Sequence, residues 1–329
     1  MIAAELLRRL AGHPDVPPES KLSLLRTVEL DTKRRLQRKL ARRHTIEASK
    51  SLIEVFDCGG NEVLPGAKVS NPSASSDSVV ARVALITLDL RDFMSVVLGR
   101  NSVDDHGLSI DSSVHYSRSY CNAFWEDDRC VFGDGDGLIF KNFVSSNDFV
   151  GHEVMHGVTE YTAKLEYERE AGALNESMSD VFGVVFRQWR AKQDLSTAEW
   201  SIGSDMMGPT ALQLGWTCLR HVAEPSASFS MTKQPSRYSD YDGSEEPHIN
   251  SGIPNRAFFL ATTALALPSW TSTARIWYRA LTSANAFPSM TFSKFATLTV
   301  NAAIELGDQL PGAVDAVSKA WNAVEVTPS

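Results

Sequence analysis

The sequence predicts an α+β protein in which a β-rich N-terminal half and an α-helical C-terminal half face each other across a cleft, preceded by a short helical segment. Three observations carry that expectation. Residues 51 to about 150 have the texture of strands and turns, and residues beyond about 175 are dominated by apolar positions at helical spacing. Between the two stands the pentapeptide His152-Glu153-Val154-Met155-His156.

The elements follow in order. Residues 2–10 read as a short helix, ended by Gly12, Pro14, Pro17 and Pro18. Glu19 to about Arg43 reads as a longer one, with Leu22, Leu25, Leu36 and Leu40 among its apolar positions and no internal breaker. Ser51 to Phe56 is a strand ahead of the turn at Gly59-Gly60; Leu64-Pro65-Gly66 marks another turn, and Ser70 to Ser78 a polar loop. A helix is expected over about 85–99, then strands around 113–118, 121–125 and 129–132. Beyond the pentapeptide, helical periodicity is clear near 175–192, 253–266, 273–284, 291–305 and 311–323.

Composition narrows the class. The chain has 329 residues, 43% hydrophobic and 22% charged, enough for two globular domains and a small extra segment. It contains no apolar run of membrane-spanning length. Ala3 to Leu10 is amphipathic and charged where a signal peptide would have an apolar core. Cytoplasmic synthesis is therefore expected, with any release by a non-classical route. Cys58, Cys121, Cys130 and Cys218 show neither metal nor disulfide-framework spacing, so free buried thiols are expected. A Cys121–Cys130 bridge is the weakly motivated alternative.

The net charge of −8 hides an asymmetry, because residues 1–43 carry 11 basic and 5 acidic side chains. Seven of the basic ones fall within Lys33 to Arg43. Such a run suits a nucleic acid, an anionic membrane surface or a solvated helix face. With an acidic body behind it, the expected partner is the rest of the same chain.

On a helix, His152 and His156 project from one face and can share a metal ion, and Glu153 can act as a base toward water at that ion. A zinc hydrolase needs three protein ligands and one open position. A third histidine at 162 would extend the motif, but Thr159 and Thr162 exclude that branch. Downstream, Glu176 and Asp180 lie four apart on what reads as a second helix. One of these carboxylates can bind zinc while the other accepts a hydrogen bond from a ligand imidazole. The plain alternative is a solvated acidic helix start.

The stretch from His152 through Asn175-Glu176 to Ser179-Asp180-Val181-Phe182-Gly183 resembles the thermolysin family of neutral metalloproteases. Three further blocks match it in order: Asn122-Ala123-Phe124-Trp125 followed by Gly133-Asp134-Gly135-Asp136-Gly137, then Leu219-Arg220, then His248-Ile249-Asn250-Ser251-Gly252-Ile253-Pro254-Asn255. The two N-terminal helices resemble the short propeptide of the protealysin branch, with Ile2-Ala3-Ala4 where that branch has a proline pair.

The resemblance implies a thermolysin-like fold, with a helical propeptide over 1–45, an N-terminal catalytic domain over 46–158 and an α-helical catalytic domain over 159–329. It implies a zinc endopeptidase with one Zn²⁺ on His152, His156 and Glu176, Glu153 as general base, and His248 and Tyr167 bonded to the oxyanion. Asp180 and Asn175 would steady the ligand imidazoles. Asn122 and the Ala123 backbone would pair with an extended substrate, and Arg220 would reach a substrate carbonyl. Phe140, Phe143, Phe149, Ile202 and Leu219 would line the pocket after the scissile bond, so cleavage is expected before Leu, Ile, Val or Phe.

Two departures limit the transfer. The acidic residue expected to orient His248 is assigned to Asp242, with Glu245 and Glu246 as alternatives. The paired-calcium site keeps Asp148 and Glu199 but has Arg187, Ser201 and Ser204 in place of carboxylates, so at most one weak Ca²⁺ site is expected. The molecule expected is a monomeric, self-inhibited precursor acting on polypeptides, with no nucleic-acid partner and its own propeptide as inhibitor. It would be cut between about 38 and 50, with Thr45-Ile46 a fitting bond. A zinc-holding pseudoenzyme is the competing reading, and retention of Glu153 and His248 argues against it.

Overall fold

A computed structural model describes residues 2–40, 52–243 and 246–329; the Thr45-Ile46 bond and Glu245 lie outside the described residues. Two helices lead, Ala4–Ala11 (α1) and Pro18–Leu40 (α2). Next come Ile53–Asp57 (β1), Ala67–Lys68 (β2), Ser78–Phe93 (α3), Ile110–Val114 (β3), Ala123–Glu126 (β4), Arg129–Phe132 (β5) and Asn147–Glu160 (α4). The C-terminal half holds Arg169–Arg190 (α5), Ser201–Ile202 (β6), Pro209–Gln213 (α6), Arg220–His221 (β7), Pro247–Asn250 (α7) and Gly252–Leu265 (α8). It closes with Thr273–Leu281 (α9), Phe292–Glu305 (α10) and Ala313–Ala323 (α11).

The first five strands form one sheet in the order β2-β1-β3-β5-β4. β1, β3 and β5 run parallel, while β2 and β4 pair antiparallel at the two edges. β4, which begins one residue after Asn122, is therefore an edge strand, and an edge presents backbone groups to another chain.

α3 begins seven residues before its expected start, because Asp77 caps it. The Asp77 carboxylate accepts the Val79 and Val80 N–H groups at 2.8 and 3.3 Å. These first-turn donors would otherwise lack partners, and the β-branched Val79 and Val80 weaken the helical signal there. The short β6–β7 pair was not expected, since two-residue strands leave no alternation to read.

α5 is the axis of the molecule, with every residue from Ala171 to Gln188 buried. A helix enclosed on all sides must pair its own polar groups, and α5 carries several. α4 crosses it where Gly151 faces Gly183. A Cβ on Gly183 would stand 2.3 Å from the Asp148 carbonyl oxygen, so only glycine permits this approach. The close crossing brings the two histidines of α4 to the carboxylates of α5.

All four cysteines are buried and free, so the Cys121–Cys130 bridge is not formed. Among the described residues, no helix is long and apolar enough to cross a membrane.

Candidate active site

His152, Glu153 and Glu176 are fully buried, and His156 is nearly so. The Nε2 atoms of His152 and His156 face each other at 3.1 Å. The Glu176 carboxylate closes the triangle, 3.4 Å from His152 Nε2 and 3.6 Å from His156 Nε2. Among the described residues these three are the group of His, Cys, Asp and Glu side chains arranged to hold a metal ion.

The opposite ring nitrogens are held from outside. His152 Nδ1 lies 3.0 Å from Asp180, and His156 Nδ1 lies 2.8 Å from Asn175 Oδ1 and 3.1 Å from Ser179 Oγ. Acceptors at both Nδ1 atoms place the ring protons there and turn the two Nε2 lone pairs toward one point. Glu176 Oε2 is buried there without a hydrogen-bond partner. Two converging lone pairs and an unmatched carboxylate oxygen are what a tetrahedral zinc site requires, and the residues fit the ion.

The local electrostatics agree. Burial pushes the His156 pKa down to about 4, which keeps the ring neutral as a ligand must be. Burial also opposes a charge on His152, but the Asp180 and Glu176 carboxylates outweigh it and raise that pKa. Burial would raise Asp180, yet the Arg220 guanidinium and His152 hold it well below the usual carboxylate range. For Glu153 burial acts upward, and neighbouring positive charge, including that of His152, holds it below its ordinary value.

A second arm reaches the triangle from the C-terminal half. Tyr167 directs its hydroxyl onto Glu176 Oε1 and lies 3.1 Å from His248 Nε2. His248 is almost fully buried on α7. Its Nδ1 meets the Glu246 carboxylate at 2.6 Å. Of the three acidic residues considered for orienting His248, Glu246 stands against the ring, while the Asp242 N–H donates to Asn250.

Arg220 forms a two-pronged pair with Asp180, at 2.9 Å through Nε and 2.7 Å through Nη2. Its guanidinium is buried beside the metal-ligand helix rather than extended toward solvent. Phe140, Phe143, Phe149, Ile202 and Leu219 are fully buried. The three phenylalanine rings follow one another at 5.5–5.6 Å, and Phe149 stacks on His152 at 5.6 Å. An apolar wall therefore leads up to the ligand triangle. Sequence reasoning missed Asn255, which donates to Asp180 at 3.0 Å, and Gln234, which donates to the His248 carbonyl at 2.7 Å. Asn255 lay within a matched block; nothing local to Gln234 marked it.

Asn122 is fully buried and already engaged. Its Oδ1 accepts the Ile2 N–H at 2.7 Å, and its Nδ2 donates to the Ile2 carbonyl at 3.1 Å. The chain's own second residue thus sits at the edge expected for substrate, even without a proline pair.

Two imidazoles, one carboxylate, an adjoining buried glutamate and a tyrosine–histidine pair define a mononuclear metal-dependent hydrolase. The chain belongs to the thermolysin family of metallopeptidases. The thermolysin metallopeptidase catalytic domain matches residues 35–160, and the thermolysin metallopeptidase α-helical domain matches residues 163–326. An extracellular metalloprotease of Pectobacterium carotovorum subsp. carotovorum is 36% identical over 292 residues, covering 85% of this chain and 83% of that protein. Thermolysin of Bacillus sp. (strain EA1) is 34% identical over 285 residues, covering 83% of this chain and 51% of that longer protein. The solved precursor of protealysin, a metalloproteinase from Serratia proteamaculans, superposes with a TM-score of 0.85 at 33% identity, over 99% of both chains. The protein is a zinc metalloendopeptidase of the protealysin-like type.

Proposed function

We propose that the chain hydrolyses polypeptides on the N-terminal side of bulky apolar residues, and that it is made as a self-inhibited, self-processed monomer. The carrying observation is the buried ligand triangle with the buried Glu153 beside it in the chain and the Tyr167–His248 pair set against Glu176. Zinc held by His152, His156 and Glu176 would supply Lewis-acid polarisation of the scissile carbonyl and of water. Glu153 accepts the proton of the attacking water and delivers it to the leaving amine, which its carboxylate form permits.

His248 and Tyr167 donate hydrogen bonds to the oxygen that gains charge. Glu246 accepts from His248 Nδ1, so the donor role at Nε2 requires a proton on that nitrogen as well, and Asp180 and Asn175 fix the ligand rings. Asn122 and the Ala123 backbone take the substrate main chain after Ile2 has left, and Arg220 reaches its carbonyl from the Asp180 pair. The wall of Phe140, Phe143, Phe149, Ile202 and Leu219 supports an apolar preference.

The calcium expectation is deepened by the geometry around Arg187. Its guanidinium lies 2.5 Å from Asp148, 3.4 Å from Glu199 and 3.5 Å from Asp205, so a fixed cation fills that cage. The basic N-terminal segment finds acidic partners on its own chain, through Arg26–Glu62 at 3.0 Å and Arg34–Glu126 at 3.1 Å. These pairs favour the intramolecular partner over nucleic acid. The domain divisions near 45 and 158, cytoplasmic synthesis and non-classical release belong to the same reading.

Hydrolysis of a quenched hydrophobic peptide, before and after removal of residues 1–45 and with and without a zinc chelator, tests the whole. Activity should appear on removal and vanish on chelation. Equal cutting before Asp or Lys in a peptide library would overturn the specificity. Mass spectrometry of the Glu153→Ala chain tests self-processing, which is wrong if that variant matures with no protease added.

A further inference from the structure

His248 is held at its ring by Glu246 and Tyr167, and at its main chain by a side chain from an earlier loop. Gln234, only 2% exposed, donates from Nε2 to the His248 carbonyl at 2.7 Å and to Ser251 Oγ at 2.9 Å. Ser251 Oγ in turn donates to the same carbonyl at 3.3 Å. The amide, the hydroxyl and the carbonyl therefore close a small ring of hydrogen bonds. A carbonyl oxygen can only accept, which fixes the amide nitrogen as the atom that faces it.

The ring sits where α7 is least able to hold itself. α7 has four residues, Pro247–Asn250, so its carbonyls belong to a last turn and need donors from outside the helix. Gln234 is fixed from behind, because its own N–H donates to the Pro225 carbonyl at 2.8 Å. The Met231 and Thr232 N–H groups donate to the Cys218 and Leu219 carbonyls, each at 2.9 Å. A Cβ on Gly252 would stand 2.6 Å from Gln234 Cβ, so the start of α8 lies directly against this side chain. A side chain that only filled the space would be apolar, since burying an amide costs free energy unless it is bonded. A short helix is thus tied, through one amide, to the segment that carries Leu219 and Arg220.

We propose that Gln234 is a positioning residue for His248, fixing through the main chain the point at which the imidazole meets the substrate oxygen. Glu246 and Tyr167 set the rotation of the ring, and the bond to the carbonyl sets the place of the backbone from which the ring hangs. The inference rests on the reading of His248 as the donor to the oxyanion.

Gln234→Met keeps the length of the side chain and removes the donor. Each variant is made as the full chain and brought to the cut form, which its mass confirms. Turnover of the hydrophobic peptide should fall about tenfold, with KM within about twofold and zinc content at the parent level. The deciding comparison is the His248→Ala background, where Gln234→Met should change kcat by less than about twofold, since the group it positions is gone. A merely structural residue would cost the same factor in both backgrounds. Lys233→Ala, at an exposed neighbour, should match its background in each. Parent-like kcat in Gln234→Met, or equal losses with and without His248, overturns the proposal. Should Gln234→Met not fold, Ser251→Ala breaks the same ring at its hydroxyl and takes its place in the two-background comparison. Should His248→Ala turn over like the parent, the reading of His248 as donor fails, and the ring nitrogen NMR shifts of His248 in the uncut chain decide. Shifts moved in Gln234→Met then support positioning, and unmoved shifts overturn it.

Discussion

At the residue scale, the site assigns different work to two acidic residues one helical turn apart on α5. Glu176 closes the ligand triangle, and Asp180 is committed to Arg220, His152 and Asn255. Replacing Glu153 by Gln removes the base and keeps the volume. Turnover should fall by about 10²–10⁴-fold with zinc content unchanged, as read by peptide hydrolysis beside metal analysis. Loss of zinc together with activity would make Glu153 a structural residue instead. Removing the donor with His248→Ala should lower kcat by about 10²–10³-fold and leave KM nearly fixed. Glu246→Gln should lower kcat by less than His248→Ala does, whereas Asp242→Asn should leave kcat unchanged, as read by the same peptide hydrolysis.

At the element scale, the α4–α5 crossing and the capped start of α3 hold the site in register. Gly183→Ala would drive a methyl into the Asp148 carbonyl. The expected loss is about 1–3 kcal/mol in denaturant unfolding, with weaker zinc retention. α3 is tied to the sheet through His115, whose Nδ1 lies 2.9 Å from Asp134 and whose Nε2 lies 3.2 Å from Asp77. The hydrogen bond to Asp134 is the main cause that lifts the His115 pKa to about 9; burial opposes it, and Asp77 and Asp57 add to it. A raised folded pKa means stability that is fully present below the unfolded value near 6.5 and is lost as pH rises to about 9. Because Asp77 and Asp134 are about two-fifths exposed, the loss should be on the order of 1–2 kcal/mol. Thermal melts across that range should show the decline in the parent and not in His115→Asn.

At the scale of the whole molecule, two cations of the chain's own making join separate parts. Arg187 on α5 reaches Asp148 at the start of α4 and the Ser201 and Ser204 segment, so one guanidinium ties both halves beside the site. A calcium-selective chelator should therefore leave the melting temperature unchanged. Arg187→Met should cost about 3–5 kcal/mol, because the Asp148 carboxylate would stay buried without its counter-charge. The N-terminal segment spans the cleft in the same manner. α2 grips β4, while Arg9 donates to the Met231 carbonyl and His13 meets Trp216 edge-on in the C-terminal half. Removing it frees both walls at once.

The sequence by itself determined the group of side chains arranged to hold a metal ion, the helical order and the two-half architecture. Each was written in short spacings, four residues between His152 and His156 and four between Glu176 and Asp180, that a helix converts directly into geometry. Glu246 rather than Asp242 on His248, Gln234 behind its carbonyl and Asp31 on Asn122 were decided only by the tertiary structure. Those contacts depend on how a loop enters α7 and how a distant helix lies across a sheet edge. Local periodicity fixes which face a residue shares, whereas partners 14 or 91 residues away are chosen by packing.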